Sequence, residues 1–155
     1  MKTVFEGKHV LVRERDGWEF VERKSATEAA AVIAVTADDE LILVEQYRRP
    51  VDARVIDLPA GLVEGNNDAA ATAKRELEEE TGYSCARVEF LAKCATSPGI
   101  TSEIVSLFRA HDVRRTGEPE EGITVHLVPR KSAAGWLRGQ SALIDLKLYF
   151  VTQST

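Results

Sequence analysis

Glu76, Glu79 and Glu80 stand at i, i+3 and i+4 in the run Arg75-Glu76-Leu77-Glu78-Glu79-Glu80. On a helix their carboxylates share one face, while Glu78 points elsewhere. Like charges at this spacing repel, so the pattern calls for a compensating cation, either Arg75 or a divalent ion. Oxygen-only donors suit a hard ion such as Mg²⁺ or Mn²⁺, which keeps several waters and is completed by substrate phosphates. The chemistry indicated is metal-assisted work on phosphate. Taken alone, an acidic run is more often a solvated helix face, so the flanking residues must decide.

Those glutamates need a helix to carry them. Residues 68–81, DAAATAKRELEEET, contain no Gly or Pro and are rich in helix formers. Asp68 suits the N-cap or first turn, and Gly82 falls where a C-terminal cap belongs. Ala70, Ala73, Leu77 and Thr81 recur at helical spacing, giving the helix one flank that can pack on a sheet. Strands are expected at 8–13, 18–24, 29–35, 41–47, 88–94, 104–110 and 123–128, with turns at Asp16-Gly17 and Asp38-Asp39. Residues 132–138 and 143–152 read as helical, although the Tyr-Phe-Val of the second would also suit a strand. Strands mixed with a few helices predict an α/β or α+β sandwich around a mixed sheet.

With its flanks, the acidic run reads Gly61, five residues, Asn67, seven residues, then Arg75-Glu76-Leu77-Glu78-Glu79-Glu80-Thr81-Gly82-Tyr83. This resembles the Nudix box, G-x5-E-x7-R-E-U-x-E-E-x-G-U, where U is bulky and apolar or aromatic. Every fixed position agrees except the first glutamate, which is Asn67 here. The resemblance implies a Nudix-type α/β/α sandwich, with antiparallel N-terminal strands, that hydrolyses a pyrophosphate bond using Mg²⁺ (Mn²⁺ as a substitute). It makes Glu76 and Glu80 principal metal ligands, with Glu79 contributing directly or through water. Arg75 would orient the glutamates, and Ala60 would offer its backbone carbonyl. Glu64 matches an acidic position of sugar-nucleotide-cleaving relatives. It is an added ligand candidate and equally an ordinary loop carboxylate.

Outside the box, Gln46-Tyr47-Arg48, Leu58-Pro59-Ala60-Gly61 and Ser97-Pro98-Gly99 resemble the ADP-ribose pyrophosphatase branch, with Pro98 sixteen residues after Gly82. A Pro-Gly turn needs no function to explain it, so the value of Pro98 is positional. The resemblance places Arg48 on a phosphate, a task its fork of donors suits. It also makes Trp18 a candidate to stack on adenine, with Arg23 nearby; Trp18 is at least as well explained as a half-buried strand residue. Hydrolysis needs a further carboxylate to take a proton from water, and in this branch it comes from a late acidic loop. Gly117-Glu118-Pro119-Glu120-Glu121-Gly122 matches that loop. Glu121 aligns as a metal ligand and Glu120 or Glu118 as the base, although such a segment is also simply a soluble loop.

The implied activity is hydrolysis of a nucleoside diphosphate sugar, ADP-ribose first, to AMP and ribose 5-phosphate. GDP-mannose and UDP-glucose are the alternative substrates. Asn67 motivates a different alternative, a nucleotide-binding module that keeps the fold and turns over weakly or not at all. Relatives of this branch are usually homodimers, so the β-rich residues 1–25 are expected to contribute to a dimer.

Composition limits the remaining possibilities. A length of 155 residues with 44% hydrophobic content fits one domain over 1–155. A net charge of −5 with both signs scattered gives no footprint for nucleic acid. No signal-peptide pattern or bilayer-length apolar run is present, so a cytoplasmic protein free of the membrane is expected. Cys85 and Cys94 are read as small core residues, and His9, His111 and His126 receive no catalytic role.

Overall fold

The computed structural model describes residues 1–65 and 68–153; Asn67 lies outside them. The chain opens with three antiparallel strands, β1 (Lys2–Glu6), β2 (Val10–Arg15) and β3 (Trp18–Arg23). Asp16 and Gly17 join β2 to β3 with positive φ of 53° and 83°, the twist that a two-residue hairpin turn requires. This small sheet docks through β3. The Val21 amide donates to the Ile100 carbonyl at 2.7 Å, and the Ser102 amide donates to the Val21 carbonyl at 3.2 Å.

Two larger sheets follow. The first contains β4 (Glu28–Ile33), β7 (Ala60–Leu62), β9 (Arg87–Ala95) and β10 (Ile104–His111) in the order β7-β4-β10-β9. It is mixed, because β10 runs parallel to β4 while β7 and β9 run antiparallel to their neighbours. The second contains β5 (Glu40–Arg48), β6 (Ala53–Asp57), β12 (Thr124–Pro129) and β13 (Leu143–Ile144) in the order β12-β5-β6-β13. The sheets adjoin where β4 gives way to β5: Val35 bridges Leu41, and the Ile42 amide donates to the Ala34 carbonyl at 3.0 Å.

Alternation along the strands sorts the core into two layers. Ala30, Val32, Ala34 and Ile42 pack with Phe108 and with Ala73 and Leu77 of helix α1 (Ala69–Thr81). The opposite side chains, Ala31, Leu41, Leu43, Ile56 and Leu58, pack with Leu137 of α2 (Ala133–Arg138) and Leu148 of α3 (Leu146–Gln153). Helices thus cover the strands from both sides, as expected of the α/β/α sandwich. Helix α1 has the anticipated ends. The Asp68 side chain accepts from the Ala70 amide, and Gly82 closes the helix at φ 73° with its amide on the Glu78 carbonyl. The short pair β8 (Tyr83–Ser84) and β11 (Arg114–Arg115) brings the chain after residue 115 back to that end. No described helix is long and apolar enough to cross a membrane.

Several expectations need correction. β1 and β6 are additional strands, and the helix expected over 143–152 begins as β13, parallel to β6. Asp145 ends that strand and caps α3, accepting from the Lys147 amide at 2.9 Å. Cys85 is buried as expected, but Cys94 is exposed. Cys94 lies on β9, the edge strand of its sheet.

Candidate active site

Helix α1 presents its glutamates to β7 and β5. Glu80 is only 6% exposed. One of its oxygens accepts from the Ala60 amide at 2.9 Å, and the other accepts from Nε2 of Gln46 at 3.0 Å. Burial pushes its carboxyl pKa up to about 7; the Glu76 charge adds to the rise, while the two donors and nearby Arg48 oppose it. Glu76 lies against the backbone of Gly61, so that a Cβ there would overlap its carboxylate. Its pKa is also raised, first by burial and then by Glu79 and Glu120, against the pull of Arg75.

Arg75 pairs with Glu76 at 2.5 Å and also with Glu79. It therefore joins two of the three glutamates, which is the compensation their spacing demands. As the side chains stand, no group of three acidic, His or Cys residues among those described is arranged to hold a metal ion. Glu79 is turned to Arg75, and Glu80 to its two donors. At Ala60 the backbone amide is the group that engages Glu80.

The acidic loop is seated on the C-terminal end of α1. The Thr116 and Gly117 amides both donate to the Gly82 carbonyl, at 2.8 and 3.0 Å, and the Glu120 amide donates to the Glu79 carbonyl at 2.9 Å. The seat requires glycine at 82: beyond its positive φ, a Cβ there would lie 2.7 Å from the Gly117 carbonyl carbon. Within the loop, Glu118 is held by Arg115 at 2.9 Å through both oxygens, whereas Glu120 is close enough for its charge to act on Glu76. Glu121 and Glu64 are exposed.

The remaining candidates form a second group where the N-terminal sheet docks. Trp18 is 65% exposed, and its indole N–H donates to the Gly99 carbonyl at 3.2 Å, beside Pro98. Arg23 pairs with Glu103 at 2.7 Å. Arg48 belongs to the first group, exposed and near Glu80. No hydrogen bond or ion pair among the described residues joins Trp18 or Arg23 to the glutamates of α1. His126 pairs with Glu45 at 2.8 Å beside the Trp136 ring, and His111 pairs with Glu89 at 2.9 Å; among the described residues no hydrogen bond or ion pair joins either to Glu76, Glu79 or Glu80.

From sequence, Gln46 carried no role of its own within its motif, Gly82 only that of a helix cap and box position, and Thr116 none. The signal for Gln46 was strand alternation. Ile42 faces α1, so Gln46 and Arg48 fall on the same side of β5. Gly82 and Thr116 meet only through the fold.

The model of the NUDIX domain matches residues 26–146. The chain belongs to the Nudix family. An ADP-sugar pyrophosphatase of Mus musculus is 33% identical to this Nudix protein over 155 residues, covering 85% of this chain and 70% of its own. An ADP-ribose pyrophosphatase of Bacillus subtilis is 40% identical over 93 residues, 60% of this chain and 50% of its own. A methanol dehydrogenase activator of Bacillus methanolicus is 49% identical over 82 residues, 53% of this chain and 44% of its own. The chain thus spans about half the length of the two bacterial relatives. A crystal structure described as an ADP compounds hydrolase superposes with a TM-score of 0.71 at 21% identity, over 88% of this chain and 80% of its own. That likeness concerns the fold.

Proposed function

We propose that this Nudix protein hydrolyses the pyrophosphate bond of a nucleoside diphosphate sugar with a divalent metal ion, converting ADP-ribose to AMP and ribose 5-phosphate. The observation that carries the reading is the meeting of Glu76 and Glu80, against Gly61 and Ala60, with a loop that ties the Glu120 backbone to Glu79 and brings its charge within range of Glu76. The ADP-ribose and ADP-sugar pyrophosphatases among the relatives support the choice of substrate.

The donors fit a hard cation. Both principal carboxyls are raised in pKa by burial and by neighbouring negative charge, a strain that a nearby cation relieves. A bound Mg²⁺ would neutralise non-bridging oxygens and activate water. Glu76 and Glu80 would hold it, with Glu79 assisting and Glu64 and Glu121 as outer candidates. Arg75 keeps the glutamates of α1 in register. Glu120 accepts the proton of the attacking water as the new P–O bond forms and the bridging P–O bond breaks. Arg48 binds phosphate, and Trp18 stacks on adenine with Arg23 alongside.

A homodimer belongs to the same reading. β1 is the edge of its sheet, and its Val4 and Phe5 are exposed, which suits pairing with a second copy. Initial rates on a panel of ADP-ribose, UDP-glucose and GDP-mannose test the substrate. ADP-ribose is expected to give the highest kcat/KM; a higher value for either other compound overturns that choice.

A further inference from the structure

The Glu80 carboxylate is held at both oxygens by groups from different strands. The Ala60 amide on one oxygen is fixed by β7, whose Ala60 pairs with Ala31 of β4. The Nε2 of Gln46 on the other, 34 positions away in sequence, comes from β5. A single donor would leave the carboxylate free to turn about its terminal bond, a torsion with only broad preferences. Two donors on opposite oxygens fix both its plane and its rotation.

The chemistry of the second donor matters too. A Lys or Arg at position 46 would neutralise Glu80, whereas a carboxamide orients the carboxylate and leaves its negative charge available. Gln46 is half-buried, and Val44, the preceding residue on the same face of β5, is fully buried, so the backbone beneath the amide is held by packing. Its immediate neighbours do other work: Glu45 pairs with Arg54 and His126, and Tyr47 bonds Asp52.

We propose that Gln46 is a positioning residue, setting the rotation of the Glu80 carboxylate so that it can receive a divalent cation. The inference rests on Glu80 as a metal ligand and is independent of which nucleotide sugar is cleaved. Outer groups that orient a ligand typically influence metal affinity or activity about 10–100-fold.

The test is Mn²⁺ binding to the full chain, measured by calorimetry without nucleotide, for the unaltered protein, Gln46→Met and Gln46→Asn. Met keeps the volume and lacks the donor; Asn keeps the amide but is one methylene too short to reach Glu80. Both variants are expected to weaken Mn²⁺ binding by about 10–100-fold while keeping a cooperative thermal transition, and Asn carries the test if the Met variant fails to fold. An affinity within twofold of the unaltered protein in a folded variant overturns the role of Gln46. These affinities decide the role whether or not ADP-ribose turns over, whereas unaltered protein that binds no Mn²⁺ overturns both the metal site and this inference.

Discussion

The Glu76 carboxylate occupies the space where a side chain on Gly61 would begin. A Cβ at Gly61 would overlap it, with even the farthest carboxylate atom only 2.6 Å away. Gly61 is fixed by the pairing of β7 with β4, where it faces Ala30, so Glu76 is the group that must yield.

Gly61→Ala is therefore expected to displace Glu76 while the fold survives. Overpacking of this kind costs about 1–3 kcal/mol, and a misplacement of about 1 Å at a reacting centre costs roughly 10²-fold in rate. Turnover alongside a thermal melt checks the pair of effects. Unchanged turnover would show that the position of Glu76 is immaterial.

Glu80 links the site to pH. Its folded pKa of about 7 lies above the ordinary carboxylate value of 4.5, so the folded, metal-free protein binds the extra proton. The contribution of this group to stability then falls as pH rises from about 4.5 through about 7, by an amount on the order of 3 kcal/mol. In Glu80→Gln the amide can still accept from Ala60, and Gln46 can turn its carbonyl toward it. The variant should melt higher than the unaltered protein at pH 8 in EDTA, lose its stabilisation by Mg²⁺, and lose more than roughly 10²-fold in turnover. Melts at pH 5 and pH 8, with and without Mg²⁺, read this directly; an unchanged Mg²⁺ response would remove Glu80 from the metal site.

The acidic loop separates its own glutamates. Glu118 is engaged by Arg115, while Glu120 is tied through its amide to Glu79 and lies within electrostatic range of Glu76. Glu120→Gln should lower kcat by about 10²–10⁴-fold, the usual contribution of a general base, with Mn²⁺ affinity little changed. Glu118→Gln should keep most of its rate. The reverse ranking in steady-state kinetics would move the base to Glu118.

Much of this arrangement was legible in the sequence where local rules act alone. Helix α1 follows from its composition and its two caps, and the placement of Glu76, Glu79 and Glu80 follows from helical spacing. β6 escaped because its Ala-Arg-Val-Ile-Asp run carries charges that find partners only in three dimensions: Arg54 meets Glu45 and Thr124, and Asp57 meets Lys147. β1 escaped because all five of its residues are exposed, leaving no apolar alternation to read. Within the site, spacing located the carboxylates but not their orientation. Glu80 turns to Ala60 and Gln46, and Glu120 is tied to Glu79, through contacts remote in sequence. The exposure of Cys94 was hidden for a similar reason, since only sheet order reveals that β9 is an edge.

The most direct measurement is release of AMP from ADP-ribose by the purified full chain, followed chromatographically with Mg²⁺, with EDTA, and in Glu80→Gln. AMP and ribose 5-phosphate should appear in equal amounts with Mg²⁺ and vanish in the other two conditions. ADP-ribose that is bound yet returned intact in Mg²⁺ and Mn²⁺ alike would contradict the assignment as a hydrolase.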